Sequence, residues 1–115
     1  ALPIWAVLNV MNNACYAVWK KWQNAPEGYS PEIMVTLEKL DKRVVLSIRD
    51  NGEGMSPEVK RKLFDSFFTT KPVGQGTGLG MAIVRDIIEN KHHGKVLFDS
   101  VLHEYTCFRF IIPIA

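Results

Sequence analysis

Three groups of residues in this 115-residue chain have types and spacings that could do chemistry. The first is "GQGTGLG", Gly74 to Gly80, followed by the apolar run Met81-Ala82-Ile83-Val84. A glycine-rich loop that opens a helix lets backbone N–H groups approach an anion, and the helix start adds a favourable partial positive charge. Taken alone, the loop also reads as nothing more than a flexible helix start. The P-loop pattern needs a Gly-Lys pair here, but Lys71 precedes the glycines; the dinucleotide pattern needs glycine where Leu79 or Met81 stands. The H-R-D and D-F-G segments that accompany a protein-kinase glycine loop are missing too.

The second group is "LNVMNNACYA". Asn9 and Asn13 are four apart, so on a helix their amide oxygens share a face and can meet one hard cation, while Asn12 lies one residue off it. Asn is a mediocre helix former, which makes two of them on one side of an apolar helix notable. The third group is "DNGEGM": Asp50 follows a strand end, and Gly52 and Gly54 free the backbone and leave room beside it. As a tripeptide, Asp-Asn-Gly is an ordinary turn. A carboxylate with space beside it also accepts a hydrogen bond from an exocyclic amine such as adenine N6, worth about 1.5 to 3 kcal/mol. Guanine presents a carbonyl at that position, which the carboxylate repels.

These groups need elements to hold them. From Leu2 to Trp22 the residues Ile4, Leu8, Met11, Cys15, Val18 and Trp22 recur at helical steps, which predicts a helix with that stripe buried and Pro3 in its first turn. "NAPEGYSP" is a loop. "EIMVTLEKL" and "RVVLSIRD" alternate on either side of "DK" and predict an antiparallel hairpin, with Val44, Leu46 and Ile48 on one face. "SPEVKRKLF" has Ser56 as cap, Pro57 at the first helical position and Glu58 in the first turn, hence a short helix. "DSFFTTKPVGQGTG" reads as a long loop of the kind that is more often functional than idle. Helical spacing returns over Leu79–Lys91 and stops by Gly94, with His92 and His93 marking the end. "KVLFDSV" and "TCFRFIIPI" add two strands, the last with Phe108 and Phe110 on one face. The order predicts one α+β domain over residues 1–115, a two-layer sandwich with helices on one face of a mixed, mostly antiparallel sheet.

Composition narrows the class. The chain is 47% hydrophobic, with 14 basic and 12 acidic residues and a net charge of +2 spread along its length. No basic block marks a nucleic-acid or membrane-surface binder, and no run spans a bilayer. Cys15 and Cys107, each in an apolar stretch, are expected to be buried reduced thiols of a cytoplasmic protein. The chain opens without Met directly in helix-like sequence, which suggests part of a longer protein.

In order along the chain, "NVMNNA", "DNGEGM", "LFDSFFTTK" and "GQGTGLGMAIV" resemble the N, G1, F and G2 boxes of the ATP-binding catalytic domain of two-component sensor histidine kinases. That family shares a superfamily, and the Bergerat ATP-binding fold, with gyrase, Hsp90 and MutL. "HHGKVLFDS" and "TCFRFIIPI" are similar to its last hairpin, so the resemblance covers nearly the whole chain. It implies that Asn9 and Asn13 hold Mg2+ on the ATP phosphates and that Asp50 receives the adenine amine in a pocket shaped by Gly52 and Gly54. Gly76, Gly78 and Gly80 would line the triphosphate, with Thr77 and Leu79 as backbone donors. Residues from about Met55 to Gly76 would form a lid anchored by Phe64, Phe67 and Phe68, a cluster that equally suits core packing. Lys71 would approach the phosphates, or stand as a solvated loop lysine.

Two departures from the family pattern stand out. Tyr16 takes the place of a common basic residue three positions after Asn13, and a single glycine follows His93. The implied reaction is transfer of the γ-phosphoryl group of ATP to a histidine. Since His92, His93 and His103 lack the helical context of an acceptor, the acceptor would sit on an upstream dimerisation domain, with a response regulator as indirect partner. The rivals are an ATPase or a serine kinase or anti-sigma module of the same superfamily. The ATPase reading needs a glutamate base where this chain has Asn9.

Overall fold

In the computed structural model, residues 3–24, 27–65 and 80–114 are described. Helix α1 spans Ile4–Asn24, close to the predicted bounds, but it buries a different face. Ala6, Val10 and Ala14 lie in the core; of the predicted stripe Val18 is buried with them and Met11 packs against them, while Ile4, Leu8 and Trp22 stay 69%, 55% and 45% exposed. Both sets recur at helical steps on a helix that is apolar nearly all round, so periodicity does not choose between them. Small side chains decide it: Ala6 and Ala14 let the helix approach its neighbours closely, as Leu8 or Trp22 would not. The same rotation leaves Cys15 exposed, contrary to expectation, and Cys107 buried as expected; both thiols are free.

Strands β1 (Ile33–Leu40) and β2 (Arg43–Asp50) form the expected hairpin, its turn closed by Asp41 at φ 56°. Strands β3 (Lys95–Val101) and β4 (Tyr105–Pro113) form the second. The sheet order is β1-β2-β4-β3. Each pairing is antiparallel, so among the described residues the sheet holds no parallel pair. Leu46 and Ile48 of β2, Val96 of β3, and Phe108, Phe110 and Ile112 of β4 meet the α1 residues in one core, joined by Met81, Val84 and Ile88 from the third helix. The register sets Val35 and Leu37 of β1 beside Ile48 and Leu46, yet they stay half or more exposed, because α1 rests on β2.

Helix α2 spans Pro57–Lys62, and the Ser56 hydroxyl accepts from the Val59 N–H at 3.2 Å. Helix α3 spans Gly80–Asp86 and continues as a π-helical turn over Ile87–Lys91. The wider turn closes where the His92 N–H reaches back five residues to the Ile87 carbonyl at 3.1 Å, a pattern not visible in the apolar spacing. No helix among the described residues is long and apolar enough to cross a membrane.

Candidate functional site

α1 carries a ridge at four-residue steps: Asn9, Asn13, Ala17 and Lys21. At about 1.5 Å per residue it runs for about 18 Å, and two of the three predicted groups lie along it. At its first end Asn9 faces the start of α3. A Cβ on Gly80 would come within 2.8 Å of the Asn9 Oδ1 and 3.0 Å of its Nδ2, so the bare glycine is what lets the helix begin against that amide. The Asn13 Nδ2 donates to the Met81 Sδ at 3.4 Å, one residue further into α3. Asn9 and Asn13 share a face, as their spacing requires, and the packing of α3 on α1 brings Gly80 to them. Gly80→Ala should displace the Asn9 amide and, if the resemblance to an ATP site holds for this loop, lower ATP affinity about tenfold. The thermal midpoint should move by only a few degrees, which parallel binding and melting curves would check.

Further along the ridge lies "DNGEGM". Asp50, the last residue of β2, points to the helix side like Leu46 and Ile48 and is 4% exposed. Its Oδ1 accepts from the Gly52 N–H at 2.8 Å, so the turn folds back on its own carboxylate. A Cβ on Gly52 would lie 2.7 Å from both the backbone carbon and the Cβ of Ala17; the space that Gly52 leaves is filled by α1. Gly54 sits at φ +67° against the Val101 carbonyl of β3. The two glycines thus serve close approach of the loop to α1 and to β3. Burial pushes the Asp50 carboxyl up to about 6, against the opposing pull of the Gly52 N–H and the positive charge of Lys21.

Two residues that the sequence did not single out complete this end. The register aligns Asp50 with Thr106 on β4 and Thr106 with Ser100 on β3, giving a row of three buried polar side chains across neighbouring strands. The Ser100 Oγ lies 2.9 Å from the Thr106 Oγ1 and accepts from the Met55 N–H at 2.8 Å. The Lys60 ammonium of α2 donates to the Ser100 carbonyl at 2.7 Å. An apolar-to-polar change on the core-facing parity of both closing strands is a signal the sequence carried, legible once the register is known.

Phe64 packs edge-on against Phe98, centroids 5.7 Å apart, with the Arg85 guanidinium 5.1 Å from its ring. It joins the rim of the core. Tyr16 stacks at 6.0 Å on Trp19 of the same helix. Phe67, Phe68, Lys71, Gly76, Thr77, Gly78 and Leu79 lie outside the described residues.

Comparison with known proteins supports the family and the fold. The family of histidine kinase-, DNA gyrase B- and HSP90-like ATPases covers residues 3–115. The sensory histidine kinase/phosphatase NtrB of Rhizobium meliloti is 34% identical over 92% of this chain and 28% of its own length; sporulation kinase E of Bacillus subtilis is 32% identical over 93% and 13%. Among the first curated relatives the chain spans only about a tenth of their length, 9% and 11% in two cases. The nucleotide-free catalytic domain of the histidine kinase ThkA superposes with a TM-score of 0.72 at 35% identity, over 94% of this chain and 63% of that one. The mycobacterial sensor histidine kinase MprB gives 0.70 at 31%, over 95% and 68%. With its motifs in order and its fold shared, the chain belongs to the family of histidine kinase-, DNA gyrase B- and HSP90-like ATPases, on the sensor histidine kinase side of it.

Proposed function

We propose that this chain binds ATP with the adenine at Asp50 and the phosphates toward the start of α3, and passes the γ-phosphoryl group to a histidine on a dimerisation domain upstream in the same protein. The observation that carries this reading is a buried carboxylate at one end of the α1 ridge, with two amides facing a bare glycine helix start at the other. Asp50 accepts from the adenine amine, and Thr106 and Ser100 continue the buried polar row behind it. The amide oxygens of Asn9 and Asn13 are hard donors of the kind Mg2+ takes, in the small number it accepts from protein. The bare Gly80 keeps a side chain from crowding Asn9. Mg2+, when bound, offsets the charge on the phosphates.

In the transfer, an imidazole nitrogen of the acceptor forms a bond to the γ-phosphorus while the bond to the bridging oxygen breaks and ADP leaves. The chain contributes position and charge neutralisation and forms no bond to the phosphorus. Its own histidines suit the acceptor role poorly. His92 and His93 close the π-helical turn and His103 sits in the β3–β4 turn. Water attack is disfavoured because Asn9 stands where a glutamate base would be needed, and an amide takes no proton at neutral pH. The segment from Met55 to Gly76 serves as lid, anchored through Phe64, and a response regulator in the cytoplasm then receives the phosphoryl group from the acceptor histidine. Incubating the protein with MgATP and its dimerisation domain should yield acid-labile phosphate on histidine; free phosphate alone would move the reading to an ATPase.

A further inference from the structure

Lys21 ends the ridge that begins with Asn9. A lysine in the last turn of a helix ordinarily points to solvent or to the helix's own final carbonyls. This one turns to two other segments, its ammonium donating to the His103 carbonyl at 2.8 Å and to the Asn51 carbonyl at 3.3 Å. It also lies 4.8 Å from the centroid of the Tyr29 ring, while the Tyr29 hydroxyl donates to the same Asn51 carbonyl at 3.0 Å. Asn51 in turn ties down the stretch before β1: its Nδ2 donates to the Ser30 carbonyl at 2.8 Å and its Oδ1 accepts from the Glu32 N–H at 2.8 Å. On the other side the His103 N–H donates to the Glu53 carbonyl. The segment after Asp50 is thus held by the loop before β1 and by the β3–β4 turn, and one ammonium joins both to α1.

We infer that Lys21 is a positioning residue for the nucleotide site, clamping the Asn51–Gly54 loop and standing as the counter-charge that keeps Asp50 an acceptor. The inference rests on the reading of Asp50 as the base acceptor. Among the described residues, the charged group that acts on Asp50 is Lys21 from α1; the loop before β1 brings Tyr29, on which Asp50 acts, and β4 faces it with the uncharged Thr106. Asp50's charge in turn adds to burial in raising the Tyr29 hydroxyl, so these groups share one electrostatic neighbourhood. With burial already pushing the carboxyl up to about 6, losing the Lys21 charge moves its ionisation toward neutral pH. A neutral carboxyl keeps one weak acceptor and adds a donor pointed at a donor.

The test compares wild type, Lys21→Gln and Lys21→Arg by equilibrium binding of a non-hydrolysable ATP analogue with Mg2+ from pH 5 to 8.5. The nucleotide's own ionisation is common to all three and cancels in the ratios. Lys21→Gln should move the Asp50 midpoint up by about one pH unit, so its affinity deficit is about threefold larger at pH 6.5 than at pH 8.5. Lys21→Arg should keep the wild-type midpoint. A deficit in Lys21→Gln that is the same at every pH would make Lys21 a structural brace only and overturn the inference, as would an Arg variant that shifts like Gln. If Lys21→Gln does not fold, 13C NMR titration of the Asp50 carboxyl in wild type and Lys21→Arg decides: equal midpoints support the inference and an upward shift in the Arg variant overturns it. Absence of nucleotide binding by wild type would instead refute the proposed function.

Discussion

Asp50→Asn should lose about 10- to 100-fold in ATP affinity while the domain becomes no less stable at neutral pH. The loss follows from the chemistry of the acceptor: a hydrogen bond to a charged group is worth about 1.5 to 3 kcal/mol, and an amide that rotates its NH2 toward the adenine amine opposes it outright. The stability half follows from burial. The folded carboxyl ionises at about 6, against 3.8 for the ordinary group. Between those two values the unfolded chain has released its proton and the folded one has not, so stability falls as pH rises through this window. It then stays level above pH 6, with the full cost of about 3 kcal/mol in place. Asn carries no such cost and keeps the Oδ1 that accepts from the Gly52 N–H. Urea unfolding at pH 7.5 and pH 4 reads this directly: the variant equals or exceeds wild type at pH 7.5, and the gap closes at pH 4. A variant that is less stable at both pH values would mean that the carboxylate holds the fold, and its binding loss would say nothing about adenine.

Gly54→Ala should destabilise the domain by about 3 kcal/mol or more, lowering the thermal midpoint by about 10 °C. Two penalties fall on one methyl group. Gly54 is at φ +67°, a region where a Cβ costs about 1 to 2 kcal/mol. The added carbon would also be driven into the Val101 carbonyl, with the Val101 carbonyl carbon 2.8 Å away. Val101 is backbone at the end of β3, and no rotamer relieves the clash; the β3–β4 turn or the Asn51–Gly54 loop must shift. Either shift disturbs the His103 N–H bond to Glu53 and reaches Lys21. Saturating nucleotide should therefore recover part of the midpoint, since only the intact loop binds. A midpoint within 2 °C of wild type would show that the loop has slack that the contacts deny.

Most of the architecture was legible because its signals are local. The strand alternation of β2, the Ser56-Pro57 helix start and the two-residue turn before Arg43 each follow from residues that touch one another along the chain. The pairing of Asn9 with Asn13 is of the same kind, being helix geometry alone. The face that α1 buries was not legible. Ala6, Val10 and Ala14 compete with Ile4, Leu8, Cys15 and Trp22 at equally helical spacing, with Val18 common to both, and the larger residues carry the stronger apolar signal.

The elements, their order and the three chemically capable groups could be read along the chain, because each depends on spacings of four residues or fewer. Which residues complete those groups follows from packing. Thr106 and Ser100 join Asp50 through strand register across fifty or more residues of chain, and Lys21 reaches Asn51 and His103 because α1 docks by its small side chains. Burial, register and close approach depend on how separate segments meet. They settle which side chains are drawn out of water and which charges face one another, and so give Asp50 its raised ionisation and Lys21 a reason to point inward.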